Sequence, residues 1–439
     1  MIKKNQKKEI IIWSLFLVMF PLPLLSSLFI DNRPLLLGNE RFPIIVGLVA
    51  YSWFLLEIFI SSRPRWLEQK IGLPNLYMVH GCIGILAIIL AFLHKMNLHA
   101  EGLPKLYGDI AINLFIGVSI ISLLFLSSII SNTFKVVASF KKHISKFTPK
   151  REIILWVHRL TVVATILVFL HVVTMPVLRG STFFLLIFSI ESLLILCYYA
   201  YCKLIVPGLQ PAYQIASLNK FNQDTLKIEL QTDGKRIKPH KPGDYLFLSF
   251  KDRKISKEYH PFSIINSTRE DGRLFIAVKQ IGDFTKNIEN STLGSLVRVA
   301  GPYGLLHQHL DLSKPLLLIA GGIGITPIMS IIEASSEEQK IYLFWNVKKT
   351  EDLIFNDELK ERQKNSLLHY IPLLSEEKST DYYYGRVNSR LVKQLLTEEE
   401  IKSLNVVMCG PEKMMTSMDE QLQELGVSVE KIHYEKFSY

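Results

Sequence analysis

The chain has 439 residues, a formal net charge of +10 and 49% hydrophobic residues. This length allows two or three domains, and the hydrophobic share is high for a soluble protein. In a soluble protein the charge would suggest nucleic acid. Here much of it lies in short loops between apolar runs, so we expect no nucleic-acid partner. The four cysteines form no CxxC pair, which argues against a disulfide framework and a zinc site.

Apolar runs dominate the chain up to about Pro207. Six runs are long enough to cross about 30 Å of hydrocarbon and predict a six-helix transmembrane bundle surrounded by membrane lipid. The first run is longer than a typical signal-peptide core and no small-residue cleavage site follows it, so we expect a retained helix. The six predicted spans are residues 10–30, 42–60, 76–94, 110–130, 153–177 and 181–206.

The flanks of these spans differ in charge. Thirteen lysines and arginines lie on one side, in residues 1–9, 61–75 and 131–152. Five lie on the other side, in residues 31–41, 95–109 and 178–180. Because basic loops stay in the cytoplasm, this asymmetry predicts a multi-pass protein of the cell membrane with a cytoplasmic N-terminus and a cytoplasmic soluble half.

Four histidines lie within the predicted spans. His80 and His94 are on the third span and His158 and His171 are on the fifth, and no other span contains a histidine. A haem held between two helices needs one histidine from each. Both spans run outward, so we expect two b-type haems, an inner one on His80 and His158 and an outer one on His94 and His171. The alternative is a set of lone histidines that hydrogen-bond neighbouring helices.

The spacing within each helix fits this scheme unequally. His80 and His94 are 14 residues apart, which returns the side chain to within about 40° of one face. His158 and His171 are 13 apart and miss by about 140° on a straight helix, so the fifth span must bend or present two sides. For two further intramembrane carboxylates, Glu57 and Glu191, we expect pairing with a nearby arginine or backbone group.

Short alternating strands follow the membrane half, and a strand–turn–helix pattern begins at Lys314. The first pattern predicts a small antiparallel β-barrel, and the second predicts a doubly wound α/β domain. We therefore expect a transmembrane domain at 1–207, a barrel domain at 208–312 and a nucleotide-binding domain at 313–439.

Three short motifs lie in the soluble half. Residues 320–327, AGGIGITP, follow a buried strand, where glycines would let a pyrophosphate approach a helix N-terminus. Alone, this turn is equally compatible with an ordinary strand–helix connection. HPFS at residues 260–263 and CGP at residues 409–411 add weight, because both lie on predicted strands or strand ends.

In this order, HPFSI, GPYG, GGIGITP and CGP resemble the ferredoxin–NADP reductase type of dehydrogenase. With the preceding histidine-bearing spans, the chain resembles the NADPH oxidase and ferric reductase superfamily, and among its members the bacterial NADPH oxidases. The resemblance implies FAD, two haems and NADPH or NADH as cofactors.

The resemblance also implies roles for single residues. FAD would be held by His260, Pro261, Phe262, Ser263, Lys279, Gly282 and Thr285. NAD(P)H would be held by Gly321, Gly322, Gly324, Thr326, Gly410 and Pro411, with Cys409 beside the nicotinamide. Phe437, or alternatively Tyr439, would stack on the flavin. Lys348 stands where the family often has an arginine that reads the 2′-phosphate, and Arg386 could compensate, so the preference between NADPH and NADH stays open.

The resemblance implies an oxidase that reduces extracytoplasmic oxygen to superoxide. A ferric or cupric reductase with the same cofactors is the first alternative. A nucleotide-sensing channel or transporter is the second, and a protein that delivers electrons to an outer redox partner is the third. The fused dehydrogenase makes an obligatory protein partner unnecessary. Arg41 and His99 could hold the acceptor, although ordinary loop roles are the simpler interpretation.

Overall fold

The computed structural model describes residues 12–13, 15–32, 38, 40–125, 151–252, 255 and 258–435. The chain divides into two compact units, Lys4–Val206 and Pro207–Tyr439. The division falls where the apolar runs of the sequence end. The boundary that we expect between two domains inside the second unit stays a prediction.

The first unit is helical. Among the described residues, five helical segments are long and apolar enough to cross a membrane: Arg41–Ser61, Leu73–Asn97, Gly102–Phe125, Ile153–Val173 and Thr182–Leu209. Within the first predicted span, the described residues Leu15–Asp31 form an apolar helical segment that contains Pro21 and Pro23 and has a turn at Phe20 and Pro21. Proline lacks the N–H that a helix interior needs, which accounts for the interruption near this point.

The helices before residue 210 are labelled in chain order. They are α1 Leu22–Asp31, α2 Arg41–Ser61, α3 Arg65–Ile71, α4 Leu73–Asn97, α5 Gly102–Phe125, α6 Arg151–His158, α7 Leu160–Val173, α8 Thr182–Ala200 and α9 Val206–Leu209. Helix α2 packs mainly on α4, and α7 packs mainly on α5. The parallel rings of Phe54 and Phe115, with centroids 3.9 Å apart, join α2 to α5. Large apolar side chains such as Trp156 and Leu194 point outward, as a lipid-facing surface requires.

The fifth predicted span is broken into two helices. Helix α6 ends at His158 and α7 begins at Leu160. The Arg159 N–H donates to both Leu155 O at 3.1 Å and Trp156 O at 3.2 Å. Bonds to the third preceding residue are typical of a 3₁₀ turn, which winds more tightly than an α-helix. The miss of about 140° between His158 and His171 assumes one straight helix. It therefore does not apply to this span, which is broken at Arg159.

The second unit begins with a curled antiparallel sheet. Its strands are β1 Ala212–Lys220, β2 Thr225–Gln231, β3 Tyr245–Phe250, β4 His260–Ser263, β5 Leu274–Lys279 and β6 Leu296–Tyr303, in the order β4-β3-β6-β1-β2-β5. The Ile265 N–H donates to Phe275 O at 2.9 Å, just beyond β4, and so links the two ends of the sheet. Buried aliphatic side chains fill the interior.

A parallel sheet completes the second unit. Its strands are β7 Leu316–Gly321, β8 Ile341–Val347, β9 Leu368–Leu374, β10 Tyr383–Tyr384, β11 Asn405–Cys409 and β12 Ile432–Glu435, in the order β10-β9-β8-β7-β11-β12. The accompanying helices are α10 Asp283–Asn287, α11 Ile325–Ala334, α12 Asn356–Lys364, α13 Ser389–Leu395, α14 Glu398–Ser403 and α15 Glu412–Glu424. Strands β7, β8 and β11 are buried throughout, as expected for a parallel sheet covered on both faces. The strand order reverses between β7 and β11, which opens a crevice at their carboxyl ends.

Candidate functional site

Two pairs of histidines face each other between α4 and the broken fifth span. The ring centroids of His80 and His158 are 5.8 Å apart, with an angle of 68° between the planes. Those of His94 and His171 are 6.2 Å apart, at 85°. We call the first pair with its hydrogen-bond partners the inner layer and the second pair with its partners the outer layer. The structure thus brings together the residues that the sequence analysis paired.

In the outer layer, both histidines hydrogen-bond backbone carbonyls. His94 Nδ1 lies 2.8 Å from Pro43 O, in the first turn of α2. His171 Nδ1 lies 2.7 Å from Pro104 O, in the first turn of α5. A carbonyl oxygen only accepts, so each Nδ1 carries the proton.

In the inner layer, the partners are side chains. His80 Nδ1 contacts the Glu57 carboxylate of α2. His158 Nδ1 lies 2.9 Å from the Ser122 hydroxyl of α5. That hydroxyl donates its own proton to Val118 O at 2.8 Å, so its oxygen is left to accept the Nδ1–H of His158.

The four imidazoles fit haem iron. Three Nδ1 atoms donate a hydrogen bond and the fourth, His80 Nδ1, contacts a carboxylate oxygen, so each ring keeps a lone pair on Nε2, the arrangement that metal-binding histidines use. Metal–imidazole bonds of about 2 Å on both sides of an iron place the ring centres about 6 Å apart. The observed 5.8 and 6.2 Å match that separation. In each layer the same order of helices recurs, since α2 supports a histidine of α4 and α5 supports a histidine of the fifth span.

Two glycines give the histidines room. A Cβ at Gly47 would lie 2.4 Å from His94 Nδ1, a distance that side chains do not tolerate. A Cβ at Gly108 would lie 3.1 Å from His171 Nδ1, which is tight but nearer to an ordinary contact. Glycine costs stability inside a helix, so its presence at these positions reflects the close approach of the rings. Nothing in the local sequence distinguishes these two glycines from other helical glycines.

The two intramembrane carboxylates differ from expectation. Glu57 pairs with His80, not with an arginine or a backbone group. Both carboxylate oxygens of Glu191 are buried without a hydrogen-bond partner in the part of the chain that the structure describes. The only sequence signal for the Glu57 contact was an ionisable residue in an apolar helix, which does not identify its partner.

Residues of the predicted FAD site lie on β4, an edge strand of the curled sheet. His260, Pro261, Phe262 and Ser263 form this strand and pair with β3. Proline suits an edge strand because its missing N–H interrupts no ladder there. The His260 ring stacks on Phe284 with centroids 3.6 Å apart. His260, Pro261 and Phe262 are half-buried and Ser263 is buried, and aromatic groups with a hydroxyl on one edge strand suit a planar ring system such as flavin.

The polar residues expected to hold the pyrophosphate have partners within the protein. Lys279 Nζ lies 3.2 Å from Asp224 Oδ2 and 3.6 Å from Asp352 Oδ1. The Thr285 hydroxyl oxygen accepts the backbone N–H groups of Ile281 and Gly282, both at 3.1 Å. Lys279 therefore links the first sheet to the loop after β8, and the pyrophosphate roles of Lys279, Gly282 and Thr285 stay predictions.

Glycines at the crevice between β7 and β11 allow two backbones to touch. Gly321 ends β7, and Gly322–Gly324 forms a single 3₁₀ turn before α11. A Cβ at Gly324 would lie 2.3 Å from Cys409 O. A Cβ at Gly410 would lie 3.0 Å from the Cα of Gly321. The two predicted nucleotide motifs thus meet at the switch point of the sheet, the place where such folds bind dinucleotides.

Three other predicted residues lie at the same crevice. Thr326 is buried in the first turn of α11, and its hydroxyl donates to Ile323 O at 3.0 Å. Cys409 is buried at the end of β11, and Pro411 follows it before α15. The turn and the helix N-terminus offer backbone donors to an anionic ligand, so the residues fit a dinucleotide.

The predicted readers of the 2′-phosphate lie at the strand ends next to the crevice. Lys348 Nζ pairs with Glu376 Oε1 at 2.8 Å, which lowers the pKa of that carboxyl and raises the pKa of the lysine. Arg386 is exposed and adds to the lowering of the Glu376 pKa. The positive charge here is therefore partly neutralised. The predicted flavin-stacking residue Phe437 and its alternative Tyr439 lie outside the described residues.

Comparisons with known proteins identify two domains in the second unit. Residues 211–326 match an FAD-binding domain, and residues 318–420 match an oxidoreductase NAD-binding domain. The chain is 28% identical over 183 residues to NADH-cytochrome b5 reductase 1 of Dictyostelium discoideum, covering 40% of this chain and 63% of the relative. It is 23% identical over 244 residues to the toluate 1,2-dioxygenase electron transfer component of Pseudomonas putida, covering 54% and 70%.

One similar solved structure is the flavohaem-like FAD/NAD-binding domain of nitric oxide dioxygenase from Vibrio cholerae O1 biovar El Tor. Its TM-score is 0.47 and its sequence identity is 20%, and the match covers 52% of this chain and 98% of that chain. The match spans less than two thirds of the Dictyostelium relative. The second unit therefore combines an FAD-binding domain with an oxidoreductase NAD-binding domain, the two domains that the dehydrogenase half of the NADPH oxidase and ferric reductase superfamily also combines.

Proposed function

We propose that the protein is a transmembrane NAD(P)H oxidase that moves electrons from cytoplasmic NAD(P)H through FAD and two b-type haems to oxygen on the other side, giving superoxide. The observation that carries this proposal is the pair of histidine layers, with ring centroids 5.8 and 6.2 Å apart and each Nδ1 in contact with a polar group of a neighbouring helix. When bound, FAD takes a hydride and releases electrons singly, and haem iron passes single electrons onward.

The chain would hold the haems between α4 and the broken fifth span. His80 and His158 would ligate the inner haem, and His94 and His171 the outer one. Their Nδ1 partners fix the ring orientation and the tautomer. The lone-histidine alternative accounts for the Nδ1 contacts, but it does not explain why the rings of each pair lie about 6 Å apart.

The dehydrogenase unit would bind both nucleotides on the cytoplasmic side. The turn 321–324 would receive the NAD(P)H pyrophosphate, and Cys409 with Gly410 and Pro411 would border the nicotinamide. The β4 residues and Phe284 would enclose the flavin. The thirteen-to-five excess of basic residues supports this orientation in a cell membrane with six spans.

Two histidines on each iron would leave no open coordination site. The acceptor would then receive its electron at the edge of the outer haem, so oxygen, ferric ion and cupric ion all remain chemically suitable. A ferric or cupric reductase is therefore the second candidate. Arg41 and His99 are exposed near helix ends on the predicted outer side, where either could attract an anionic product.

The acceptor can be identified with purified full-length protein, NADPH, FAD and cytochrome c, with and without superoxide dismutase. An oxidase predicts that the dismutase suppresses cytochrome c reduction fully. Undiminished reduction would instead identify direct transfer to a metal or protein acceptor. Absence of a Soret band from the purified protein would overturn the haem assignment, and with it the transmembrane route.

A further inference from the structure

Of the four groups that contact a histidine Nδ1, one is ionisable, and it lies in the inner layer. Glu57 is 8% exposed in the apolar helix α2, and its carboxylate contacts His80 Nδ1. Among the described residues, no lysine or arginine forms an ion pair with Glu57. The other three histidines have neutral partners, namely the Pro43 carbonyl, the Pro104 carbonyl and the Ser122 hydroxyl.

A carboxylate acts on a metal-binding imidazole more strongly than a neutral acceptor does. By accepting the Nδ1–H it raises the electron density on the ring and makes Nε2 a stronger donor to the metal. It also places negative charge beside the site, where the low dielectric of a membrane interior screens it weakly. Both effects favour the more positive, oxidised iron over the reduced iron.

The packing around Glu57 leaves room for this contact. A Cβ at Gly84, one helical turn beyond His80 on α4, would lie 3.5 Å from Glu57 Oε2, which is ordinary van der Waals distance. The carboxylate is therefore enclosed by α4 without being pushed from it. Since water is largely excluded, its partner is the imidazole rather than solvent.

We propose that Glu57 is a positioning residue that holds His80 and lowers the reduction potential of the inner haem relative to the outer haem. This inference rests on the proposed function. Electrons enter at the inner layer and leave from the outer layer, so a lower inner potential makes the step between the layers favourable. The neutral partners of the outer layer leave its potential higher.

The test is a potentiometric titration of full-length, haem-loaded protein, followed in the Soret band with chemical mediators and without NAD(P)H. His171→Ala, which would retain only the inner haem, assigns the lower of two wild-type midpoints to that haem. Glu57→Gln keeps an oxygen acceptor but removes the charge. We expect it to raise the lower midpoint by a tenfold change in equilibrium constant, about 59 mV, and to leave the upper one in place.

Glu191→Gln is the matched control, since it removes a second buried membrane carboxylate that contacts no histidine. It should move neither midpoint. Two bound haems with unchanged midpoints in Glu57→Gln would overturn the inference and leave the proposed function standing, whereas a wild-type protein without haem would overturn both. If Glu57→Gln loses the inner haem, the midpoint of the inner haem is measured in Glu57→Asp instead. A wild-type midpoint in that variant supports the charge effect, and a raised midpoint contradicts it.

Discussion

In the outer layer the histidines hydrogen-bond backbone carbonyls, whereas in the inner layer they contact the side chains of Glu57 and Ser122. A carbonyl partner depends only on where the helix backbone lies, and any residue at that position provides it. A side-chain partner is chosen by the sequence and can be changed singly. The outer layer should therefore be sensitive to substitutions that move helices, and the inner layer to substitutions that change chemistry.

The largest effect on the outer layer should come from removing one of its histidines. With His94→Ala or His171→Ala, the outer layer loses a ligand that no neighbouring side chain replaces. We expect transmembrane reduction of an external acceptor to be abolished, while NAD(P)H still bleaches the flavin at the wild-type rate. Stopped-flow absorbance and acceptor reduction measure the two steps separately. Unchanged turnover in either variant would refute the assignment of the outer layer.

A single methyl group should disturb the outer layer almost as much. Gly47→Ala places a Cβ 2.4 Å from His94 Nδ1, so the ring or the helix must shift. We expect loss of most of the outer haem, by about tenfold or more, from misplacement of the ligand and loss of its Pro43 bond. The haem content of purified protein measures this directly.

Alanine substitutions at two other glycines serve as controls for Gly47→Ala. Gly108→Ala, with a Cβ 3.1 Å from His171 Nδ1, should cause a smaller loss. Gly117→Ala on α5 meets no atom within 4 Å and should retain both haems. Equal haem contents in all three variants would show that close approach of the helices does not determine the outer layer.

In the inner layer, Ser122→Ala tests a neutral side-chain partner. The variant removes the acceptor of the His158 Nδ1–H and leaves the backbone in place. Loss of such a partner costs about 10- to 100-fold in metal affinity, so retention of the inner haem should weaken without being abolished. Ser122→Thr, which restores a hydroxyl, should recover retention. Failure of threonine to rescue an affected alanine variant would point to packing instead of hydrogen bonding.

The smallest effect is expected in the dehydrogenase unit, where a substitution leaves both layers intact. Lys348→Ala removes a lysine that is exposed and paired with Glu376. Exposed pairs contribute about 0–1 kcal/mol, so the KM for NADPH should rise by only a few-fold. The KM for NADH should not change. Equal effects on both nucleotides would remove Lys348 from recognition of the 2′-phosphate.

Much of the architecture could be predicted because strong local patterns carry it. Of the six predicted spans, long apolar runs identified the five helices of membrane-spanning length among the described residues, and the glycine turn after a buried strand identified the nucleotide fold. The histidine pairing followed from which spans hold histidines and how far apart they lie. The helices and the glycine turn are fixed by neighbours in sequence, so tertiary packing did not alter them.

The remaining features depend on contacts between distant residues. No proline or glycine in the sequence signals the turn at Arg159, where the N–H also bonds to the third preceding residue. The partners of Glu57 and Lys279 lie on other elements, so their residue types alone could not reveal them.

The central claim is that four histidines in two layers hold two haems. The most direct test is the haem-to-chain ratio of purified full-length protein, compared with that of His94→Ala and of a variant in which both His80 and His94 are alanine. The account predicts two haems per chain in the wild type, one in the single variant and none in the double variant. A ratio that is the same in all three proteins would contradict it.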